Sequence, residues 1–343
     1  MKRFQLLILI VIIGLIFAGC GQETSGSDTD TDSGGDKLVI KVANNFGIDH
    51  PHNVALTEKF KTIAEEESNG TLEIQIYENN KLGGELETFD GVRNGSVEMA
   101  IAGTTVSGDP DKIKVGDWPF LFDDLDHAKA AFTGEVGDEI AEELEEKTDV
   151  KVLGWVANGF RAFSSNKPLE SMDDFKTYRL RMPDLPEYIA IGEALNANVI
   201  SMPFSEIFTA LEQKVADGQD NPLSTVVANG FYEVQDHILL SNHVFSPNLY
   251  VINEDLYENK MTDEQRNAID QAAEDAAEYQ WELYEESVEN DIAYLKEQGL
   301  TVSEPSEDLR QDMSDAMDEF YTKRKETYPW AEEILQKIED LRP

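Results

Sequence analysis

Three of the eight arginines that follow residue 19, Arg161, Arg179 and Arg181, fall within 21 residues of one another in a chain whose formal net charge is −41. The densest part is "YRLRMPD", residues 178–184. Read as a strand, it puts Arg179 and Arg181 on one side and Tyr178, Leu180 and Met182 on the other, until Pro183 ends the ladder. Arg181 then stands at the strand's carboxyl end, which in open α/β sheets faces the crevice where ligands bind. A guanidinium there presents a rigid fork matched to a carboxylate. Arg179, one pleat further back, is expected to pair with some of the 69 acidic side chains. The chemistry this supports is anion capture, with no covalent step.

Other residues could do chemistry and are weighed against it. His50-Pro51-His52 could hold a metal, which would make the chain a metal receptor; a helix start with surface imidazoles is the favoured reading. Glu85 and Glu87 lie two apart on a predicted helix, where they do not face each other, and read as solvated. Asp217 and Asp220 could bind calcium, but the loop is too short for an EF-hand, and a turn built on Gly218 and Pro222 is expected. The sequence holds no glycine-rich phosphate loop, nucleophile elbow or zinc-protease helix. No cofactor is expected. An extracellular hydrolase working through clustered carboxylates would need a paired acid and base, and none can be placed.

The elements that must position these residues alternate between β-branched runs and helical periods. Strands are predicted at residues 37–44, 71–77, 97–103 and 150–156, with helices at 54–67, 85–94 and 126–147. A second unit starts near Phe160, with strands around 161–164, 178–182 and 198–202 and helices from Pro186 and Ser205. Such alternation predicts an α/β fold with mostly parallel sheets flanked by helices, in two lobes with a cleft between them. The 343 residues suffice for two ordinary domains. Lobe I is expected to comprise residues 37–158 and 246–286, and lobe II residues 159–245 and 287–343. Thr262-Asp263-Glu264-Gln265 opens a helix that could run to Gln298 and close at Gly299. At about 1.5 Å per residue it spans on the order of 50 Å and should bridge both lobes. Tyr279, Trp281 and Tyr284 on it are expected to pack rather than to stack on a ligand.

Lys2 and Arg3 followed by the apolar run 4–18 read as a secretory leader, residues 1–19, too short for a membrane-spanning helix. It ends at "FAGC", where Cys20 is the only cysteine. Small residues before a lone cysteine resemble a bacterial lipobox, which implies lipid attachment at Cys20 and a membrane anchor; an ordinary leader with an incidental cysteine is the alternative. One thiol excludes an internal disulfide. Residues 20–36 continue as an acidic tether of small polar side chains, with nothing to bury. The strongly negative charge argues against nucleic acid or an anionic membrane surface as partner.

Longer stretches are also familiar. "NGFRAFSSNKPL" (158–169), "YRLRMPD", "MPFSEIFTALEQKVADGQDNPLS" (202–224) and "SNHVFSPNLYVI" (241–252) resemble the solute receptors of tripartite ATP-independent periplasmic (TRAP) transporters, dicarboxylate-receptor type. "HPHNVALTEKF", "NNKLGGELETFDGVRNGSVEMA" and "WPFLFDDLDHA" are similar too, so the likeness runs in order from about residue 37 to the C-terminus. It implies a periplasmic-binding-protein-like fold with a bridging helix. By motif, Arg181 looks like the main carboxylate clamp, Arg161 the second arginine of the pocket, Asn221 the amide beside the carboxylate and Phe204 an aromatic wall. Asn44, Thr104, Leu185 and His243 fall where further pocket residues or their water network are expected, and Glu85 could reach the pocket. The segment 184–188 and the loop after Gly103 are expected to set ligand choice. The resemblance further implies a monomeric receptor for a small carboxylate (a dicarboxylate, hydroxy acid or sugar acid, or else a zwitterionic osmolyte such as ectoine). It implies small and large membrane subunits as partners, and an ion gradient rather than ATP as the driving force. An ATP-driven uptake receptor would share the architecture.

Overall fold

The computed structural model describes residues 37–106 and 111–343. The predicted leader, Cys20 and the tether lie outside the described residues, as do positions 107–110 in the loop after Gly103. Among the described residues ten strands form in chain order: β1 (Leu38–Ala43), β2 (Leu72–Tyr77), β3 (Met99–Gly103), β4 (Val150–Ser165), β5 (Arg179–Met182), β6 (Asn198–Ser201), β7 (Gly218–Pro222), β8 (His237–Leu239), β9 (Phe245–Asn253) and β10 (Thr301–Ser303). Their order in space is β2-β1-β3-β9-β4-β7-β5-β6, with β8 beside β4 and β10 beside β8.

Two parallel arms result. β1 runs parallel to β2 and β3 in one lobe, and β5 runs parallel to β6 and β7 in the other. Between them β9 and β4 run antiparallel, so the sheets are mixed at the junction of the arms. β4 belongs to both arms: its residues 150–160 pair with β9 and its residues 161–165 with β7. The crossing passes through a register shift between Ala157 and Gly159. Gly159 has φ +117°, and a Cβ there would lie 2.1 Å from the Tyr284 ring, so the backbone conformation and the helix contact both demand glycine.

The long helix is Asp263–Glu297, and the reciprocal cap forms as its sequence predicts: Gln265 N donates to Thr262 Oγ1 at 3.2 Å and Thr262 N to Gln265 Oε1 at 3.1 Å. It packs on the helices Pro51–Ala55 and Lys61–Glu67 in one lobe, and on the helix Leu223–Ala228 and β10 in the other. Trp281 and Tyr284 pack as expected. The Trp281 indole N–H donates to Trp155 O at 2.9 Å and its ring stacks on Phe245, while Tyr284 Oη accepts from Phe160 N at 2.8 Å. A two-lobe α/β fold with a bridging helix is therefore the architecture.

The segment 218–222 corrects one expectation: it is a strand rather than a turn, and every one of its residues is buried. Gly218 has no room for a Cβ, which would lie 1.9 Å from Ser164 O, so this glycine serves close strand approach.

Candidate functional site

The carboxyl ends of the parallel strands from both arms open onto one cavity of about 400 Å³. β5 delivers Arg181 and the β6 end delivers Phe204. β7 supplies Asn221, β4 supplies Asn158 and Arg161, and β9 supplies Ser246 and Asn248. From the opposite lobe come Thr104, just after β3, and Glu85 at the start of the helix Glu85–Asn94. Arg181, Arg161, Asn221, Phe204, Thr104 and Glu85 thus meet at one cavity, although the last is 96 positions before the first.

The two arginines are in different electrostatic states. Arg161, 4% exposed, grips Asp220, with Nε to Oδ2 at 2.7 Å and Nη2 to Oδ1 at 3.1 Å; Nη2 also donates to Asp220 O at 2.6 Å. Burial opposes its charge, but Asp220 outweighs that and raises the guanidinium above its ordinary value. The reverse holds for Asp220. Burial would raise its carboxyl, yet Arg161, with His243 behind it, holds it well below the usual range. Arg181, 2% exposed, donates from Nε and Nη2 to Met202 O at 3.1 and 2.7 Å. Among the described residues no carboxylate pairs with it and Nη1 has no acceptor. Burial, helped by the Arg161 charge and only partly opposed by Asp220, lowers the guanidinium to about 10, which still leaves it charged at neutral pH. Arg179, by contrast, forms the ion pair expected of it, with Asp217 Oδ1 at 2.6 Å from Nη2.

A polar network backs the cavity. Asp117, 1% exposed, accepts from Tyr188 Oη at 2.6 Å, from Ser246 Oγ at 3.0 Å and from the Thr104 hydroxyl. Burial dominates these stabilising donors and pushes the Asp117 carboxyl up to about 6. The Arg161 guanidinium lies 4.8 Å over the Tyr188 ring and donates to Ser246 Oγ at 3.2 Å. Asn221 Oδ1 accepts from Arg161 Nη2 at 3.3 Å, so its amide is already oriented.

Three other expected residues stand behind the wall rather than on it. Asn44 bonds Asn53 and the Phe46 amide, fixing the turn that carries Phe46 to the cavity. Leu185 is buried in the main apolar cluster, at the N-cap of the helix Pro186–Ala194. His243 stacks on Phe163 at 4.1 Å and stands 3.4 Å from Asp220 Oδ2. Asp117, Asn158, Ser246 and Asn248 were not singled out by sequence reasoning, and Tyr188 entered it only as the end of the segment 184–188.

The histidine pair also departs from expectation. His50 and His52 are fully buried, not surface imidazoles, because the chain after β1 turns inward beneath Phe46. Burial pushes His50 down to about 3 and His52 well below its ordinary value, so both are neutral. His52 Nε2 meets Asn248 Nδ2 at 2.8 Å, and His50 Nε2 lies 3.4 Å from Thr225 Oγ1. Among the described residues no cluster of three or more His, Cys, Asp or Glu could hold a metal ion. Glu85 is likewise not simply solvated. It is half-buried on the cavity wall, and Oε1 accepts from Gly103 N at 2.6 Å. Burial raises its carboxyl, against the opposing pull of the Gly103 amide and of the two arginine charges.

Two α/β lobes around a polar cavity that holds an unpaired buried cation define a solute receptor. Residues 43–327 match the family described as bacterial extracellular solute-binding protein, family 7, and the chain belongs to that family. A TRAP periplasmic solute-binding protein from Haemophilus influenzae, solved with L-gulonate bound, is 39% identical with a TM-score of 0.86, covering 89% of this chain and 100% of that one. The sugar acid binding protein DctPAm from Advenella mimigardefordensis, in complex with galactonate, is 27% identical with a TM-score of 0.86, covering 89% and 99%. The 2,3-diketo-L-gulonate-binding periplasmic protein YiaO of Escherichia coli (strain K12) is 33% identical over 247 residues, 71% of this chain and 75% of that protein. The chain is accordingly a TRAP-transporter solute-binding protein, a transport component rather than an enzyme. Among the described residues no helix is long and apolar enough to cross a membrane.

Proposed function

We propose that the protein is an extracytoplasmic receptor, anchored by lipid at Cys20, that captures a sugar acid by its carboxylate. It then delivers the ligand to the two membrane subunits of an ion-gradient-driven TRAP permease. The observation that carries the reading is Arg181, a buried guanidinium at the cavity that has a single backbone carbonyl as partner. A ligand carboxylate supplies the counter-ion it lacks, while Arg161 and Asn221 flank the same carboxylate and Phe204 covers it. The relatives that hold gulonate and galactonate support a hydroxylated acid. Lobes of residues 37–158 with 246–286 and 159–245 with 287–343 close on the ligand by hinging where β4 and β9 cross between them.

Titration calorimetry of residues 37–343 against L-gulonate and other organic acids tests this. A charge-assisted bidentate contact contributes about 1.5–3 kcal/mol, so Arg181→Ala should weaken binding by at least about tenfold. Unchanged affinity in that variant would remove Arg181 from the site. A second reading, a zwitterionic osmolyte, is favoured by Glu85, whose carboxylate could face a cationic group. Ectoine in the same titration separates the two.

A further inference from the structure

The cleft is polarised, and the polarity predicts what the far end of the ligand must be. On the lobe II side the cavity presents the donor Arg181. On the lobe I side it presents acceptors. Asn248 Nδ2 lies 2.8 Å from the buried, neutral His52 Nε2, and with that donor so engaged its Oδ1 is left as the free group. Oδ1 is aimed at Gly103: a Cβ there would lie 2.8 Å from Asn248 Oδ1 and 2.9 Å from Glu85 Oε1. Two acceptor oxygens therefore converge on the face of Gly103, so close that only a glycine fits between them, and Glu85 is held in place there by the Gly103 amide, which donates to Oε1.

The charge count agrees. Arg161 and Arg181 are offset by the buried Asp117 and Asp220, so the floor is neutral before Glu85 is included. Glu85 makes the site a net anion. The other charged groups on its lining, Glu87 and Asp184, are exposed and also acidic. A monoanion can place its carboxylate on Arg181 and its hydroxyls against Glu85 and Asn248. A second carboxylate would meet Glu85, and among the described residues no spare cation lines that end.

We propose that Glu85 is the specificity-determining residue of this receptor, accepting hydroxyl donors at the end of the ligand remote from Arg181 and excluding dicarboxylates. The proposal rests on the reading of Arg181 as the carboxylate anchor.

The test uses matched pairs that differ only by a terminal CH₂OH or carboxylate: L-gulonate with D-glucarate, and D-erythronate with meso-tartrate. Calorimetry at pH 7.5 should show the monoanion of a bound pair favoured by about 100-fold, since like charges brought together cost several kcal/mol. Glu85→Gln, which keeps an acceptor for the Gly103 amide, should lower that preference at least about tenfold, with the dianion gaining in absolute affinity. Glu85→Asp, which keeps the charge, should retain most of the preference. Thermal melts of both variants confirm folding. The proposal is overturned if the wild type binds the dianion as well as the monoanion, if Glu85→Gln leaves the ratio unchanged, or if ectoine outcompetes every acid and is lost in Glu85→Gln. If no acid of any pair binds, the organic-acid reading fails first and this inference with it. Acids that bind and lose affinity in Arg181→Ala without the expected ratio sink Glu85 alone.

Discussion

Arg161 and Arg181 show that residue type alone does not decide a role. Both are buried arginines on one cavity, yet Asp220 pairs directly with the first and among the described residues no carboxylate pairs directly with the second. A buried pair broken on one side leaves a costly charge, which makes Arg161–Asp220 a fixed support for the site and leaves Arg181 as the cation free to accept an anion. Asp117 supplies a pH signature. Its folded-state carboxyl is raised by burial to about 6, whereas an unfolded aspartate titrates near ~3.9. Between those values the folded protein binds the extra proton, so the Asp117 contribution makes stability fall as pH rises from about 4 to about 6 and stay level above. Asp117→Asn should flatten that part of a profile of melting temperature against pH; an identical slope in the variant would mean that another group carries it. The arginines, Asn221, Phe204 and Thr104 were legible from short motifs. Asp117 was not, because its partners Tyr188 and Ser246 are 71 and 129 positions away and no local pattern links them.

At the scale of elements, the parallel strands and the capped long helix were readable because periodicity and local end signals specify them. β7 was not. "GQDNP" is made of residues that disfavour strands, and it is extended because it lies between β4 and β5, where Asp220 finds Arg161 and where Gly218 lets the chains approach. Burial of His50 and His52 was hidden for the same reason, since their packing partners Phe46, Asn248 and Thr225 come from three separate segments. The crossing of β4 is the element on which the proposed lobe closure turns. Gly159→Ala would force a side chain into φ +117° and against the Tyr284 ring. A strained backbone and an overpacked contact together should cost about 2–5 kcal/mol, read as a drop in the denaturant midpoint. Phe160 N donates to Tyr284 Oη at 2.8 Å, so the same change should also loosen the helix from the crossing strand. A midpoint within error of the wild type would mean that the register shift absorbs the methyl group.

For the whole molecule, the formal net charge of −41 opposes the proposed anionic ligand. The cavity floor is neutral and its rim acidic, so an approaching organic anion meets repulsion at every distance until it reaches Arg181. Electrostatic steering here must run in reverse. Raising ionic strength from about 10 mM to about 1 M shortens the screening length from about 30 Å to about 3 Å, which removes the long-range repulsion and leaves the buried contact with Arg181 almost unscreened. The association rate should therefore rise about tenfold over that range while the dissociation rate changes little, so that affinity improves with salt. Stopped-flow fluorescence, using the intrinsic signal of the four tryptophans, measures both rates. An association rate that falls with salt would show that a positive local field at the cleft mouth dominates, and that the acidic surface is too distant from the approach path to matter.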